Sequence, residues 1–170
     1  MDEQDTSKFK IIRAKDGKGL MDAKCMTVAP WGDTARAGMD RAMAAGASGG
    51  EEVTVLVDIP GFSIANVWFK HGYPLPLHSH SADCLYYIVA GSLKLGTEEL
   101  GPRDSFFVPK DVPYTYKPGP EGVELLEIRT QNPFDFVNYS NGAGFWDKAV
   151  ESVEQNRENW KTAERPKIDA

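Results

Sequence analysis

The chain has 170 residues, a formal net charge of −6 and 41% hydrophobic residues, which suits one globular domain with its own core. The acidic balance argues against a nucleic-acid partner or an anionic membrane surface, since either favours a basic patch. No apolar run is long enough for a transmembrane helix. The charged opening MDEQDTSKFK lacks the apolar centre of a signal peptide, and two distant cysteines, Cys25 and Cys84, read as a reduced cytoplasmic protein rather than a disulfide scaffold.

In chain order, residues 1–10 are polar and expected to be loose. Residues 9–13 and 23–29 read as short edge strands. Asp33 can open a helix that runs to Ala44 and stops at Gly46, and residues 44–50 read as a flexible linker. Residues 52–58 form a strand with valines at alternate positions. Pro60 and Gly61 turn the chain into a second strand over 62–70. Further strands are expected at 84–90, 92–95, 105–108, 114–117 and 123–129, with the PGPEG run after Lys117 read as a turn. Short strands punctuated this often indicate a sandwich or barrel. Residues 145–163 then form an amphipathic helix in which Phe145, Trp146, Ala149, Val150, Val153 and Trp160 share one face. This divides the chain into an N-terminal extension (1–51), a barrel (52–130) and a C-terminal helix and tail (131–170).

All three histidines, His71, His78 and His80, fall within ten positions. His78 and His80 are two apart, so on a strand their side chains share a face. Two neutral imidazoles converging on one point suit zinc or iron, although a polar strand face explains the pair equally well. On a straight strand Cys84 would lie roughly 20 Å from His78. A turn at Ser81–Asp83 can instead bring it to face the histidines from an adjacent strand. His2Cys leaves one coordination position open, as catalytic zinc sites do, whereas a cysteine that only packs is the common alternative. If Cys84 points inward, Tyr86 and Ile88 do too. His71 has the opposite parity and is expected to lie apart.

The run from Gly72 to Gly91, with His78, His80 and Cys84 at fixed spacing, resembles the first motif of the cupin superfamily, except that Cys84 stands where that motif has a glutamate. The run RDSFFVPKDVPY is similar to the second motif. There Pro109 matches, Arg103 and Asp111 replace glycines, and Tyr114 replaces the last histidine. The resemblance implies an all-β fold, a single double-stranded β-helix barrel followed by a C-terminal α-helix. It also implies a metal inside the barrel, for which His78 and His80 carry over. Cys84 is the expected third ligand if the barrel closes in the same way, and its soft thiolate makes zinc the first choice and iron the second. Tyr86 and Tyr114 are then the candidate catalytic acid, base or orienting groups. The expected function is a metal-dependent enzyme of the dioxygenase, isomerase or lyase type acting on a small organic molecule. The alternative is a metal-free barrel that binds a small ligand as sensor or carrier. A homodimer is expected, because the N-terminal strands and the 145–160 stripe exceed what one small barrel needs to cover itself.

Overall fold

A computed structural model describes residues 8–168; residues 1–7, most of the segment expected to be loose, lie outside them. No strand forms at 9–13, which pairs with no neighbour and leaves Phe9, Ile11 and Ile12 exposed. The first elements are short: β1 (Lys18–Gly19), α1 (Leu20–Ala23) and β2 (Met26–Val28), the last inside the expected 23–29 strand. Helix α2 (Asp33–Ala45) follows and ends at Gly46. The expected linker at 44–50 is not flexible. It closes as a 3-10 turn over Ala47–Gly50, with both end residues buried. The reason is packing, since Ala47 joins a cluster with Ala42, Val153 and Trp160.

The barrel is built from β3 (Glu51–Ile59), β4 (Phe62–Phe69), β5 (His78–His80), β6 (Cys84–Leu95), β7 (Glu98–Leu100), β8 (Ser105–Val108), β9 (Lys117–Arg129) and β10 (Phe134–Asn138). One sheet runs β1-β3-β4-β9-β6-β7, with β8 also on β6, and a smaller sheet runs β2-β10-β5. Most pairs are antiparallel; β2 and β10 are parallel. Two strands are longer than expected. Strand β6 does not stop at Gly91 but continues to Leu95, and the PGPEG run is not a turn, because Lys117 and Pro118 pair with Lys94 and Leu93. The strands cross at a tight point. Gly91 has a φ of 71°, and a Cβ there would lie 2.3 Å from the carbonyl oxygen of Gly122, so the register shift between Gly91 and Leu93 needs glycine. Strand β10 is an addition. The alternating Phe134 and Phe136 signal it weakly, in a run of only five residues.

The core between the sheets contains Val67, Phe69, Tyr86, Ile88, Leu93, Val123 and Leu125. Period-two alternation puts Cys84, Tyr86 and Ile88 inside, each at most 1% exposed. Helix α3 (Ala143–Trp160) lies close to the expected 145–163 segment, starting two residues earlier and ending three earlier. Its apolar face is buried within the same chain: Trp146 packs with Ala35 of α2, and Val153 and Trp160 pack with Ala42 and Ala47. That stripe therefore does not supply the dimer surface expected of it. Among the described residues no helix is long and apolar enough to cross a membrane.

Candidate functional site

The inner side of the small sheet carries the histidines. Strand β5 is only three residues long, and all three are buried. It is fixed on one side by β10, with His78 opposite Asn138 and His80 opposite Phe136. On the other side the backbones of His78 and Tyr114 form an isolated bridge. Ser81 and Asp83 then turn the chain, Ser81 Oγ accepting from the Asp135 amide and Asp83 Oδ1 from the Lys110 amide, both at 2.8 Å. This turn carries the chain from one sheet to the other. Cys84 therefore lies on the other sheet, beside Arg129, and not on a strand adjacent to the histidines, as expected above.

Each imidazole is held in a defined tautomer. Nδ1 of His78 lies 2.8 Å from the carbonyl oxygen of Pro76, and Nδ1 of His80 lies 3.0 Å from that of Asp135. A carbonyl only accepts, so both Nδ1 atoms carry the hydrogen and both Nε2 atoms offer a lone pair. Nε2 of His78 accepts from the Tyr114 hydroxyl at 2.9 Å, and the Tyr86 hydroxyl in turn makes a close contact with that of Tyr114. Nε2 of His80 faces an N–H of Arg129 at a long 3.4 Å. Burial holds the pKa of His78 below the usual histidine range, opposed by the hydrogen bond to Pro76. Burial, the Arg129 charge and His78 together push His80 down to about 2. Both rings are neutral at pH 7. Burial also raises Tyr86 and Tyr114 well above the ordinary phenol value, so both remain hydroxyls.

Beside the histidines lies a pair that the sequence reading missed. Arg129 is 3% exposed and bonds Glu127 at 2.6 Å, with its guanidinium 4.2 Å above the Phe134 ring. Its Nε has no partner among the described residues. The signal was present, because Val123, Leu125, Glu127 and Arg129 share one strand parity and the first two are wholly buried. Removing Glu127 would leave a buried cation uncompensated, a cost of roughly 3–5 kcal/mol.

These groups form one polar end of a cavity of about 300 Å³, at the small end of the range for ligand sites. His78, His80, Glu127 and Arg129 line it, with Phe134, Phe136, Val53 and Val67 on its apolar walls, and Leu20, Met26 and Trp31 of the N-terminal segment also border it. Tyr86, Tyr114 and Cys84 do not line this cavity; Tyr114 is bonded to His78 Nε2 and Tyr86 to Tyr114. His71 lies apart, in the turn after β4 and not on a strand, with Nδ1 on the Gly119 carbonyl.

The donor set does not fit the metal expected on His78, His80 and Cys84. Nδ1 anchoring of both rings is what metal-ligating histidines show. The rest of the set is adverse. Among the described residues no three His, Cys, Asp or Glu side chains are grouped to hold an ion. Burial pushes the Cys84 thiol up to about 12, far from the thiolate a metal needs. Tyr114 occupies one Nε2, and a guanidinium cation faces the other.

No family model and no curated protein matches the chain. Among solved structures it is similar to the polyketide cyclase RemF from Streptomyces resistomycificus, at 17% identity and a TM-score of 0.55, over 86% of this chain and 99% of that one. It is also similar to KdgF from Halomonas sp., at 20% identity and a TM-score of 0.43, over 49% of this chain and 79% of that one. An RmlC-like cupin family protein with a double-stranded β-helix fold from Methanocaldococcus jannaschii matches at 17% identity and a TM-score of 0.44, over 49% and 82%. The fold is the cupin double-stranded β-helix with a C-terminal helix.

Proposed function

We propose that the chain is a small-molecule enzyme of the cupin fold that works by proton transfer. It takes a small, mainly apolar organic molecule bearing a carbonyl or hydroxyl oxygen into the barrel mouth. The observation that carries this reading is the placement of two neutral, tautomer-fixed imidazoles beside a buried Arg129–Glu127 pair at one end of a cavity whose middle is apolar. Arg129, pinned by Glu127, orients the ligand oxygen and stabilises charge that develops on it, and His80 Nε2 accepts from a ligand hydroxyl. His78 Nε2, which carries a lone pair, takes a proton from the ligand and returns it. In the free protein Tyr114 fills that lone pair, and an entering ligand proton competes for it. Tyr114 bonds Nε2 itself and Tyr86 contacts Tyr114, so together they hold the ring in place. His80, held neutral far below pH 7, acts as an acceptor and not as a base. Isomerases and lyases use such chemistry. RemF is described as a polyketide cyclase, and the aromatic walls here are in keeping with a planar oxygenated substrate.

The test is to incubate wild type and His78→Ala with a panel of small hydroxylated aromatic ketones and analyse the products by mass spectrometry. A wild-type product of unchanged mass, or of mass reduced by one water, that His78→Ala does not form supports the reading. Products gaining oxygen, or turnover that His78→Ala retains, overturn it.

A further inference from the structure

The cavity has a second polar end. Strand register fixes its position. On the inward face of the large sheet, Val55, Ala65 and Glu127 form one rung, Val53, Val67 and Leu125 the next, and Glu51, Phe69 and Val123 the one beyond. Glu51 is thus four residues along β3 from the Glu127 rung, about 13 Å at ~3.3 Å per residue. The rung between them is wholly apolar. Glu51, Val53, Val67, Phe69, Glu127 and Arg129 all border the same cavity. At the far end the Tyr73 hydroxyl donates to Glu51 Oε2 at 2.8 Å. The other carboxyl oxygen has no partner among the described residues, and Tyr73 also borders the cavity. Burial raises the Glu51 pKa, with the Tyr73 hydrogen bond opposing. Whether charged or protonated, its open oxygen can accept from a hydroxyl.

Resting on the small-molecule reading above, we infer that the Glu51–Tyr73 pair is a second binding subsite, and that the ligand is an elongated, flat, largely apolar molecule with an oxygen function at each end. One oxygen meets Arg129 and the histidines; a hydroxyl at the other end meets Glu51. Val53 and Val67, which border the cavity on the apolar rung, lie against the rings between.

Quenching of tryptophan fluorescence tests this, because Trp31 borders the cavity. The probes are 2,6-dihydroxyanthraquinone, with a hydroxyl at both ends, and 2-hydroxyanthraquinone, with one. Wild type is expected to bind the two-ended probe at least tenfold more tightly, and Glu51→Leu to erase that preference while leaving the affinity for the one-ended probe unchanged. If Glu51→Leu does not fold, as judged by circular dichroism, Glu51→Ala serves for the same comparison. Equal affinities in wild type, or a preference that survives the substitution, overturn the second subsite. Neither outcome touches the site at the other end, which is read separately: His78→Ala should weaken both probes. Failure of wild type to bind either probe overturns the elongated ligand class.

Discussion

His78 and Tyr114 are joined twice. Their backbones exchange hydrogen bonds at 3.1 and 2.9 Å, and the Tyr114 hydroxyl donates to His78 Nε2 at 2.9 Å. The side-chain bond is therefore held by a rigid frame and not by rotamer preference alone. Tyr114→Phe keeps the frame and removes the hydroxyl, leaving His78 Nε2 and the Tyr86 hydroxyl without that partner. Stability should fall by about 1–3 kcal/mol, the cost of unsatisfied buried polar groups, read from the midpoint of urea unfolding. The 15N resonance of His78 Nε2 should move in the same variant, which a simple packing loss would not cause.

Acid should destabilise the fold through His80. Its folded pKa is depressed to about 2, against about 6.5 in an unfolded chain. The unfolded state therefore binds a proton that the folded state refuses at any pH between those values. The contribution is intact above about pH 6.5 and is lost as pH falls, at up to ~1.4 kcal/mol per pH unit for the one group. His78, lowered in the same direction, adds to the slope. Urea midpoints measured from pH 7.5 to 4.5 should decline, and His80→Gln should show a shallower decline. An unchanged slope in that variant would contradict the burial of a neutral His80.

How far this site was legible in the sequence follows from the range of the interactions that build it. Strand alternation is local, so it places His78 with His80 and Cys84 with Tyr86 and Ile88 on inward faces. The helix at α3 is equally local, because its apolar period lies within one element. What alternation cannot supply is which sheet a strand joins. The three residues between His80 and Cys84 allow either an adjacent strand or a crossing to the opposite sheet. The pairing of β5 with β10 selects the crossing, and β10 lies more than fifty residues away. Glu127 and Arg129 were missed for a different reason. Their parity was readable, but charges at inward positions are rare unless paired, and the pairing shows only in three dimensions. Glu51 falls outside the expected strand, which starts one residue later at 52, so alternation was not extended to it.

The second turn motif carries strain that glycine would relieve. Arg103 and Asp111 stand where the resembled motif has glycines, and both keep the backbone that glycine favours, with φ of 75° and 63°. A left-handed non-glycine residue costs roughly 1–2 kcal/mol, partly offset by the ~0.5–1 kcal/mol of extra entropy that glycine loses on folding. Arg103 is exposed. Arg103→Gly should therefore stabilise by about 0.5–1 kcal/mol, a rise of roughly 1–4 °C in Tm for a chain of this size. Asp111→Gly should gain less, since aspartate tolerates this region better than arginine. Calorimetry of the two variants beside wild type decides it; a fall in Tm for Arg103→Gly would show that its side chain contributes more than the strain costs.

The last prediction concerns the metal that the histidine spacing invites. Binding a divalent ion at His78 and His80 requires three changes here: Tyr114 must leave Nε2, the Arg129 cation must be tolerated at close range, and a third donor must be found. Cys84 is a poor third donor, since burial holds its thiol at about 12, and ligation near neutral pH must overcome several units of unfavourable ionisation. Wild type reconstituted with zinc or iron and then desalted should hold well under one equivalent by elemental analysis. Changing the donors alone should not suffice while the guanidinium stays. Cys84→Glu with Tyr114→His restores the resembled motif's ligand types, but Cys84 is the register partner of Arg129 on the neighbouring strand, so the introduced carboxylate would pair with the guanidinium. Adding Arg129→Leu together with Glu127→Leu removes the buried ion pair as a unit, which buried pairs tolerate better than loss of one partner. Only that fourfold variant should bind zinc stoichiometrically. Stoichiometric zinc in wild type, lost in Cys84→Ser but kept in Cys25→Ser, would reverse this reading and restore the His78, His80 and Cys84 site.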